Sequence, residues 1–542
     1  MSASAEPQDP PNGLSDYDIS QPLPTQTGLR KGLTSYGDAH FSLFLRKAFI
    51  KAAGYGEDAL SRPVIGIVNT FSGFNPCHAN VPQLLEALKR GIQLHGGLPI
   101  EFPTISLHES FSNPTSMFLR NLMSMDTEEM IRAQPLDAVV LIGGCDKTVP
   151  AQLMGALSAD RPALPLSGTC GVMGTASTMA CITAALGLMP LRGATAPAVS
   201  AARLRIAEET GKNAVFAAKS ATTAHPLRPS LILTRESFLN AITVLQAIGG
   251  STNAVVHLLA IINRHPTLAG TIPLSTFDDI GRRTPLLVDL KPSGSNYMTD
   301  FHNAGGMPAL LHTLRPLLHL DAPTITGATL GAALDASGFR ASPLTASIIR
   351  PLASPLYPAS SLVVLTGNLA PGGAVMKASA SKDRRLLQHA GPAVVFADTA
   401  DLARRVDDPA LPVTRDSVLV CRRIGPRGHP GMPEAGLLPI PRKLARDGVA
   451  DMVRVSDGRM SGTAGGTIVL HVSPEAKDAE SVLGVVRDGD IVRLDVEGRR
   501  LDLLVDEEEI ARRIAERKRT EEAEREAEEV EARAAGRRGM RG

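Results

Sequence analysis

Short, fully apolar runs alternate with helical stretches through the first part of the chain. Two of these runs span residues 64–68 and 138–142, and two helical stretches span residues 81–95 and 116–131. This alternation predicts an α/β fold in which crossover helices join parallel strands. Because the runs end in glycine-rich or turn-forming segments, the loops that follow lie at the carboxyl edge of the predicted sheet, where open α/β folds bind ligands.

The pattern changes near residue 345, where short apolar strands follow one another with few helical segments between them. These strands are predicted at residues 361–366, 393–396, 417–420 and 491–496. The change predicts a β-rich C-terminal domain over residues 346–506, after an α/β domain over residues 31–345.

The two ends of the chain differ from both domains. Residues 1–30 are rich in Pro, Ser, Gln and Asp without periodicity, which predicts a disordered leader. In residues 507–542, 21 of the 36 residues are Asp, Glu, Lys or Arg. Because this run lacks a sustained heptad pattern, it predicts a charged helical or disordered tail rather than a coiled coil.

Composition excludes several classes of protein. Hydrophobic residues make up 43% of the 542 residues, and a net charge of +1 offers no general attraction for nucleic acid or an anionic membrane. Trp is absent and aromatic residues are only 4%, so base stacking on RNA is disfavoured. The longest apolar stretch, residues 179–191, is shorter than the ~20 residues of a bilayer span. Residues 1–30 lack the pattern of a signal or transit peptide, which predicts a cytoplasmic protein.

Three of the five cysteines, Cys77, Cys145 and Cys170, closely follow predicted strands. If these strands belong to one sheet, the three thiols gather at one edge, and three thiolates suit a soft metal centre. The chain has no Cys-x-x-Cys pair of the kind that zinc knuckles use. An iron–sulfur cluster with one open iron therefore fits this pattern best.

Each of these cysteines taken singly is equally well interpreted as an ordinary buried residue, because free cysteine is among the most buried residue types. Cys181 and Cys421 lie inside apolar runs without a glycine-rich loop. We therefore interpret those two as core residues. A zinc hydrolase that uses the same thiols is disfavoured because the chain lacks a His-rich ligand set.

Hard ligands lie beside the soft ones in the sequence. Asp146 and Lys147 adjoin Cys145, Glu109 follows a strand-like segment at residues 104–107, and Glu434 lies in the β-rich part of the chain. Carboxylates at separate loop ends can hold Mg²⁺, which prefers oxygen ligands. Taken singly, Glu109 or Glu434 is more often a solvated or capping acid.

Two other segments carry weaker signals. Residues 143–148 suggest a phosphate-binding loop but fail the Gly-x-x-x-x-Gly-Lys-Thr spacing, so nucleotide binding is disfavoured. Residues 456–463 place Ser461 among glycines, a composition that by itself indicates only a turn. His78 receives no role from its position alone.

Together these motifs make the sequence resemble the dihydroxy-acid and sugar-acid dehydratase family, which includes dihydroxy-acid, phosphogluconate, arabinonate and xylonate dehydratases. The resemblance runs from about residue 32 to residue 513. The segments that carry it are residues 75–78 (NPCH), 143–148 (GGCDKT), 170–176 (CGVMGTA), 366–371 (TGNLAP) and 456–463 (SDGRMSGT).

The resemblance implies an α/β N-terminal domain with a parallel sheet, a C-terminal β-barrel-like domain, and homodimers or larger homo-oligomers with the site between the domains. Cys77, Cys145 and Cys170 would ligate a [2Fe-2S] cluster, with [4Fe-4S] as the alternative. The implied Mg²⁺ ligands are Glu109, Asp146, Glu434 and a carbamylated Lys147, since a bare ammonium cannot bind a cation. Ser461 resembles the catalytic base.

The implied activity is dehydration of a 2,3-dihydroxy carboxylic acid to a 2-keto-3-deoxy acid, without net redox change. The segment over residues 105–130 and the string at residues 173–176 look more like the sugar-acid branch. An aldonic acid is therefore the favoured small-molecule substrate, and a branched-chain dihydroxy acid is the close competitor.

One feature departs from the family pattern. Cys170 follows Cys145 by only 25 positions, whereas the family separates the corresponding cysteines by several tens more residues. This spacing indicates an internal deletion. It also leaves open a second hypothesis, an inactive relative that serves as a binding or oligomer partner.

Overall fold

The apolar runs near residues 64–68 and 138–142 form the two central strands of a four-stranded parallel sheet in the computed structural model of the protein, which describes residues 28–33, 37–168, 170–220 and 225–539. The strand order is β2-β1-β3-β4, and every neighbouring pair is parallel. The strands are β1 (Val64–Asn69), β2 (Leu98–Pro103), β3 (Ala138–Gly143) and β4 (Ala163–Ser167).

Helices cover both faces of this sheet, as its apolar strands require. The helices of the N-terminal half are α1 (Ala39–Ala52), α2 (Val81–Leu94), α3 (Arg120–Ala133), α4 (Thr148–Ala159), α5 (Thr175–Ala185), α6 (Ala201–Ser220), α7 (Pro229–Ile232), α8 (Arg235–Ala247) and α9 (Asn253–Ile262). Five shorter helices complete this half: α10 (Ser275–Gly281), α11 (Met298–Asn303), α12 (Gly306–Leu314), α13 (Leu330–Asp335) and α14 (Pro343–Ile348). On one face α2 packs on α6, and on the other α3 packs on α4.

Local sequence explains several of these boundaries. The six residues of β3 are all buried, as expected for a central strand made of glycine and aliphatic residues. Helix α2 carries Pro82 in its first turn, where the missing N–H costs nothing. Helix α8 begins after Thr234, whose hydroxyl accepts the Ser237 backbone N–H at 3.3 Å.

The second half of the chain forms a closed eight-stranded barrel in the order β10-β6-β5-β12-β11-β7-β8-β9. Its strands are β5 (Val363–Gly367), β6 (Ala370–Met376), β7 (Gln388–Phe396), β8 (Val418–Cys421), β9 (Arg454–Ser456), β10 (Ile468–Ser473), β11 (Ile491–Asp495) and β12 (Arg500–Leu503). Short helices α15 (Thr399–Arg405) and α16 (Arg442–Arg446) lie between strands. The α/β domain and the C-terminal β-barrel expected from the sequence are both confirmed.

The charged C-terminal run forms one long helix, α17 (Glu507–Gly539). The expected disordered leader lies outside the described residues except for residues 28–30. The boundaries at residues 345 and 506 stay predictions.

Candidate functional site

All four strands of the parallel sheet deliver candidate site residues to one edge. Strand β1 leads to Cys77, β2 leads to Glu109, β3 leads to Cys145 with Asp146 and Lys147, and β4 leads to Cys170. This arrangement follows from parallel pairing, which brings every carboxyl end to the same side.

Cys77 and Cys145 meet at this edge together with a residue that the sequence reasoning did not single out, His108. The ligand atoms of these three side chains all lie within 4.8 Å of one another, and we call them the thiol group. Cys77 is exposed and Cys145 is buried. The Cys145 thiol and the His108 imidazole interact with Cys77 and lower its pKa, whereas the Cys77 thiol and burial raise the pKa of Cys145.

His78 ties the loops of the thiol group together. Its Nε2 accepts the backbone N–H of Gly144 at 2.9 Å, so its Nδ1 carries the proton and donates to the Thr70 carbonyl at 2.9 Å. Burial lowers the pKa of His78 to about 4, which keeps it neutral. Glycine fits position 144 closely, because a Cβ there would lie 3.2 Å from the Cys77 carbonyl oxygen and 3.3 Å from the Gly168 Cα.

Cys170 is exposed and is not one of the three residues of the thiol group. Its backbone N–H donates to Ser177 Oγ at 3.1 Å, beside the start of helix α5. It follows Gly168, which packs against Gly144, and the intervening Thr169 lies outside the described residues. The role of Cys170 as a ligand stays a prediction. The two cysteines interpreted as core, Cys181 and Cys421, are fully buried.

A second cluster surrounds the fully buried ammonium of Lys147. Its Nζ lies 3.4 Å from Glu109 Oε2, 3.7 Å from Asp146 Oδ2 and 3.7 Å from Glu434 Oε1. We call these three acids the carboxylate group. The structure therefore brings together the four residues predicted for Mg²⁺, three from the sheet edge and one from the barrel half.

Arg459, which the sequence reasoning did not assign, links the carboxylate group across the two halves. Its side chain is almost fully buried; Nη2 donates to Glu109 Oε1 at 2.6 Å, and Nη1 donates to Glu434 Oε1. Its Nε also donates to the Met432 carbonyl at 2.6 Å. Ser116 Oγ donates to the other oxygen of Glu109. The only sequence signal for a role of Arg459 was its position in the motif at residues 456–463.

Two opposing effects set the ionisation of the carboxylate group. Burial acts to raise the pKa of Glu109, but the charges of Lys147 and Arg459 outweigh it and hold that pKa below its usual range. Burial prevails at Glu434 and raises its pKa despite the same two cations. Glu434 is therefore the acid of this pair that takes up a proton first as the pH falls.

Ser461 lies in the loop that leads from Arg459 into strand β10. Its Oγ lies 2.8 Å from Thr463 Oγ1, and the side chain is partly exposed. Asn253 Nδ2 donates to the Met460 carbonyl at 3.2 Å and to Glu434 Oε1 at 3.1 Å. Asn253, also missed from the sequence, thus holds the Ser461 loop beside the carboxylate group.

The Ser461 loop packs closely against the N-terminus of helix α5. A Cβ at Gly462 would lie 2.7 Å from the Thr175 backbone nitrogen, so glycine is required there. The N-terminal dipole of an eleven-residue helix favours negative charge nearby. The geometry can therefore stabilise an anion close to Ser461.

The chemistry of both donor sets fits the groups that the resemblance implies. Lys147 Nζ is buried without a hydrogen-bond partner among the described residues, although three carboxylates surround it. A buried ammonium without hydrogen bonds is costly, and oxygen ligands at this position suit Mg²⁺. Paired thiols at a glycine-lined sheet edge suit iron.

Family comparisons agree with this geometry. The model of the dihydroxy-acid/6-phosphogluconate dehydratase N-terminal domain matches residues 62–168 and 163–333, and that of the C-terminal domain matches residues 347–538. The chain belongs to this dehydratase family. It is therefore an enzyme, a hydro-lyase. The two N-terminal segments overlap at residues 163–168, and the overlap ends two positions before Cys170, where the spacing indicated a deletion. The deletion itself stays a prediction.

Relatives with assigned names cover most of the chain. A 6-deoxy-6-sulfo-D-gluconate dehydratase of Pseudomonas putida is 40% identical over 85% of this chain and 86% of its own length. An L-arabinonate dehydratase of Rhizobium leguminosarum bv. trifolii is 40% identical over 89% of this chain and 90% of its own length. A dihydroxy-acid dehydratase of Pyrococcus abyssi is 36% identical over 86% of this chain and 92% of its own length. Among the helices of the described residues, none is both long and apolar enough to cross a bilayer.

Proposed function

We propose that this dehydratase converts a 2,3-dihydroxy carboxylic acid into a 2-keto-3-deoxy acid, with a [2Fe-2S] cluster and Mg²⁺ as cofactors. The observation that carries the proposal is the juxtaposition of the thiol group and the carboxylate group through consecutive residues. His108 and Glu109 are neighbours in one loop, and Cys145, Asp146 and Lys147 are neighbours in the next. The soft donor set and the hard donor set therefore lie side by side at one edge of the sheet.

An aldonic sugar acid is the favoured substrate. Relatives named for the sugar acids arabinonate and sulfogluconate are 40% identical to the chain, against 36% for the dihydroxy-acid dehydratase. A branched-chain dihydroxy acid is the competing substrate.

Each cofactor would be held by its own residues. Cys77, Cys145 and Cys170 would ligate the cluster. Glu109, Asp146, Glu434 and carbamylated Lys147 would hold the magnesium ion. When bound, iron supplies a Lewis acid for a hydroxyl leaving group and magnesium supplies positive charge for a carboxylate.

Carbamylation and magnesium binding would support each other electrostatically. Replacing the +1 ammonium of Lys147 with a −1 carbamate lowers the net charge of the buried cluster by two, and one Mg²⁺ restores it. The unmodified ammonium already lies between all three acids, so the modified side chain would place its oxygens among the same ligands.

The proton chemistry belongs to Ser461. As an alkoxide, its Oγ would take the C2 proton, the C3 hydroxyl would leave and form water with the proton taken from C2, and the resulting enol would tautomerise to the 2-keto acid. No electron leaves the substrate, so no oxidant is needed. The helix α5 N-terminus packed against Gly462 favours the alkoxide, and the buried guanidinium of Arg459 adds positive charge nearby.

Anaerobic purification followed by an assay on reconstituted protein tests the proposal. We expect a brown protein that contains iron and sulfide and forms a 2-keto acid from aldonates faster than from branched dihydroxy acids. A colourless, folded protein without turnover on either substrate class would instead support an inactive binding partner.

We further propose that the enzyme acts in the cytoplasm as a homodimer or larger homo-oligomer, as the family resemblance implies. Light scattering of the purified protein tests the assembly. A monomer that retains full turnover would contradict it.

A further inference from the structure

His108 has no role in the chemistry described above, although its side chain belongs to the thiol group. It lies five residues after the end of β2, directly before Glu109, and its ligand nitrogen lies within 4.8 Å of both sulfurs. A nitrogen this close to two sulfurs can act either as a metal ligand or as a hydrogen-bond donor. The contacts of its other nitrogen distinguish the two roles.

Nδ1 of His108 accepts the backbone N–H of Ser110 at 3.2 Å. A nitrogen that accepts a hydrogen bond carries no proton, so the proton of the neutral ring resides on Nε2. Nε2 is thus the ring nitrogen that has an N–H to donate to a sulfur of the thiol group. Metal ligation through Nε2 would require that proton to move to Nδ1, where it would oppose the Ser110 N–H.

The ring is also held in place by an aromatic neighbour. Phe111 lies with its ring centroid 5.4 Å from that of His108, at an interplanar angle of 44°. Phe74 lies in the Cys77 loop, and its ring centroid is 6.4 Å from that of Phe111. These contacts connect the His108 loop to the Cys77 loop.

We propose that His108 is a positioning residue that donates an Nε2–H hydrogen bond to the Cys77 sulfur and so tunes the metal centre which that sulfur ligates. This inference rests on the proposed iron–sulfur function. A hydrogen bond to a ligand sulfur withdraws electron density from it, so the sulfur donates less charge to iron. The iron becomes a stronger Lewis acid and the cluster becomes easier to reduce.

The test compares the cluster in three proteins: wild type, His108→Leu and His108→Gln. Leucine removes the donor at similar size, whereas the glutamine amide retains an N–H. Redox titration followed by electron paramagnetic resonance measures the midpoint potential of each. We expect the midpoint of His108→Leu to shift to a more negative value and His108→Gln to recover part of that shift. An unchanged midpoint in His108→Leu overturns the inference.

A second measurement needs no variant and therefore does not depend on how well a variant folds. Pulsed electron–nuclear double resonance on reduced wild type with ¹⁵N-labelled histidine reports how strongly a histidine nitrogen is coupled to the cluster. Weak coupling supports a hydrogen bond, and strong coupling of the kind that a directly bound nitrogen gives overturns it in favour of ligation.

The two proposals fail in distinguishable ways. A wild-type protein that holds no iron–sulfur cluster overturns the proposed function, and the role of His108 with it. A brown, active wild type whose midpoint potential is the same as that of His108→Leu overturns only the role of His108.

Discussion

The thiol group and the carboxylate group lie side by side but are assembled in different ways. The thiol group comes from three loops of one parallel sheet, between residues 77 and 145. The carboxylate group needs Glu434 from the barrel half, and Arg459 from the same half joins it to Glu109. One group depends on strand register within a sheet, and the other depends on the contact between two halves of the chain.

This difference has a chemical consequence. Strand pairing within the sheet sets the spacing of the thiol loops without a contribution from barrel residues. The carboxylate group is complete only when the halves are docked, a contact that also includes the hydrogen bond from Thr115 Oγ1 to the Gly431 carbonyl at 2.8 Å. We therefore expect variants of the two groups to lose different metals.

Replacing a thiol ligand should have the largest effect. Cys145→Ser should lose the iron chromophore and turnover together, because the oxygen ligand is poorly suited to iron in a sulfur site. Absorption spectra, iron content and keto-acid formation measure the result. Cys181→Ala, which alters a core cysteine of the same half, is the matched control and should stay brown. Retained colour in Cys145→Ser would remove it from the ligand set.

Replacing Ser461, the proposed base, should separate chemistry from cofactor binding. Ser461→Ala should lower kcat by about 10²–10⁴-fold, the usual contribution of a positioned proton acceptor, while iron and magnesium contents stay as in wild type. Steady-state kinetics and metal analysis of the same preparation check both parts. Near-normal kcat would show that another group takes the C2 proton.

Breaking the carboxylate group should weaken magnesium binding and spare iron. Glu434→Gln removes one anionic oxygen ligand, so the Mg²⁺ concentration for half-maximal activity should rise by about 10–100-fold. Glu497→Gln, on an exposed barrel turn, is the control. If Glu434→Gln loses its iron as well, the two groups are not assembled independently.

The smallest effect concerns pH and the barrel half. Burial, with a contribution from Arg459, lowers the pKa of His471 to about 4 from its usual 6.5. The folded state keeps His471 neutral. The contribution of this residue to the free energy of unfolding is therefore fully present above pH 6.5 and is lost as the pH falls from 6.5 towards 4. Between pH 7.5 and pH 5.5 this loss amounts to about 1 kcal/mol.

Urea unfolding at the two pH values measures this loss. His471→Leu should show a smaller drop in the unfolding midpoint between them than wild type. An identical drop in both proteins would assign the pH dependence to other groups, such as the buried His257, whose pKa is also lowered by burial.

Much of the fold could be predicted because strand and helix periodicity are local properties. The structure places β3 at Ala138–Gly143 and α2 at Val81–Leu94, close to the predicted residues 138–142 and 81–95. The strand-like segment expected at residues 104–107 is wrong, since β2 is Leu98–Pro103 and ends before it. Pro99 and Pro103 obscured that strand, which lies at the sheet edge, where proline is tolerated.

The site could be predicted only in part, because local sequence patterns do not show contacts between residues that are distant in the chain. Cys145, Asp146 and Lys147 follow a strand directly, so their placement at the sheet edge was readable from the sequence. His108 could not be found, because its approach to Cys77 depends on β2 pairing with β1. Arg459 acts on Glu109, a residue 350 positions away, and no local pattern encodes such a contact.

The closure of the barrel has a practical consequence for protein engineering. Every strand of the barrel is paired on both sides. The segments that carry Glu434 and Ser461 are therefore loops that connect strands of a closed sheet. Libraries that vary the loop residues on either side of Glu434 and Ser461, with both of these residues kept, can therefore be screened for new acid substrates while the Cys77 and Cys145 loops of the sheet keep their native sequence.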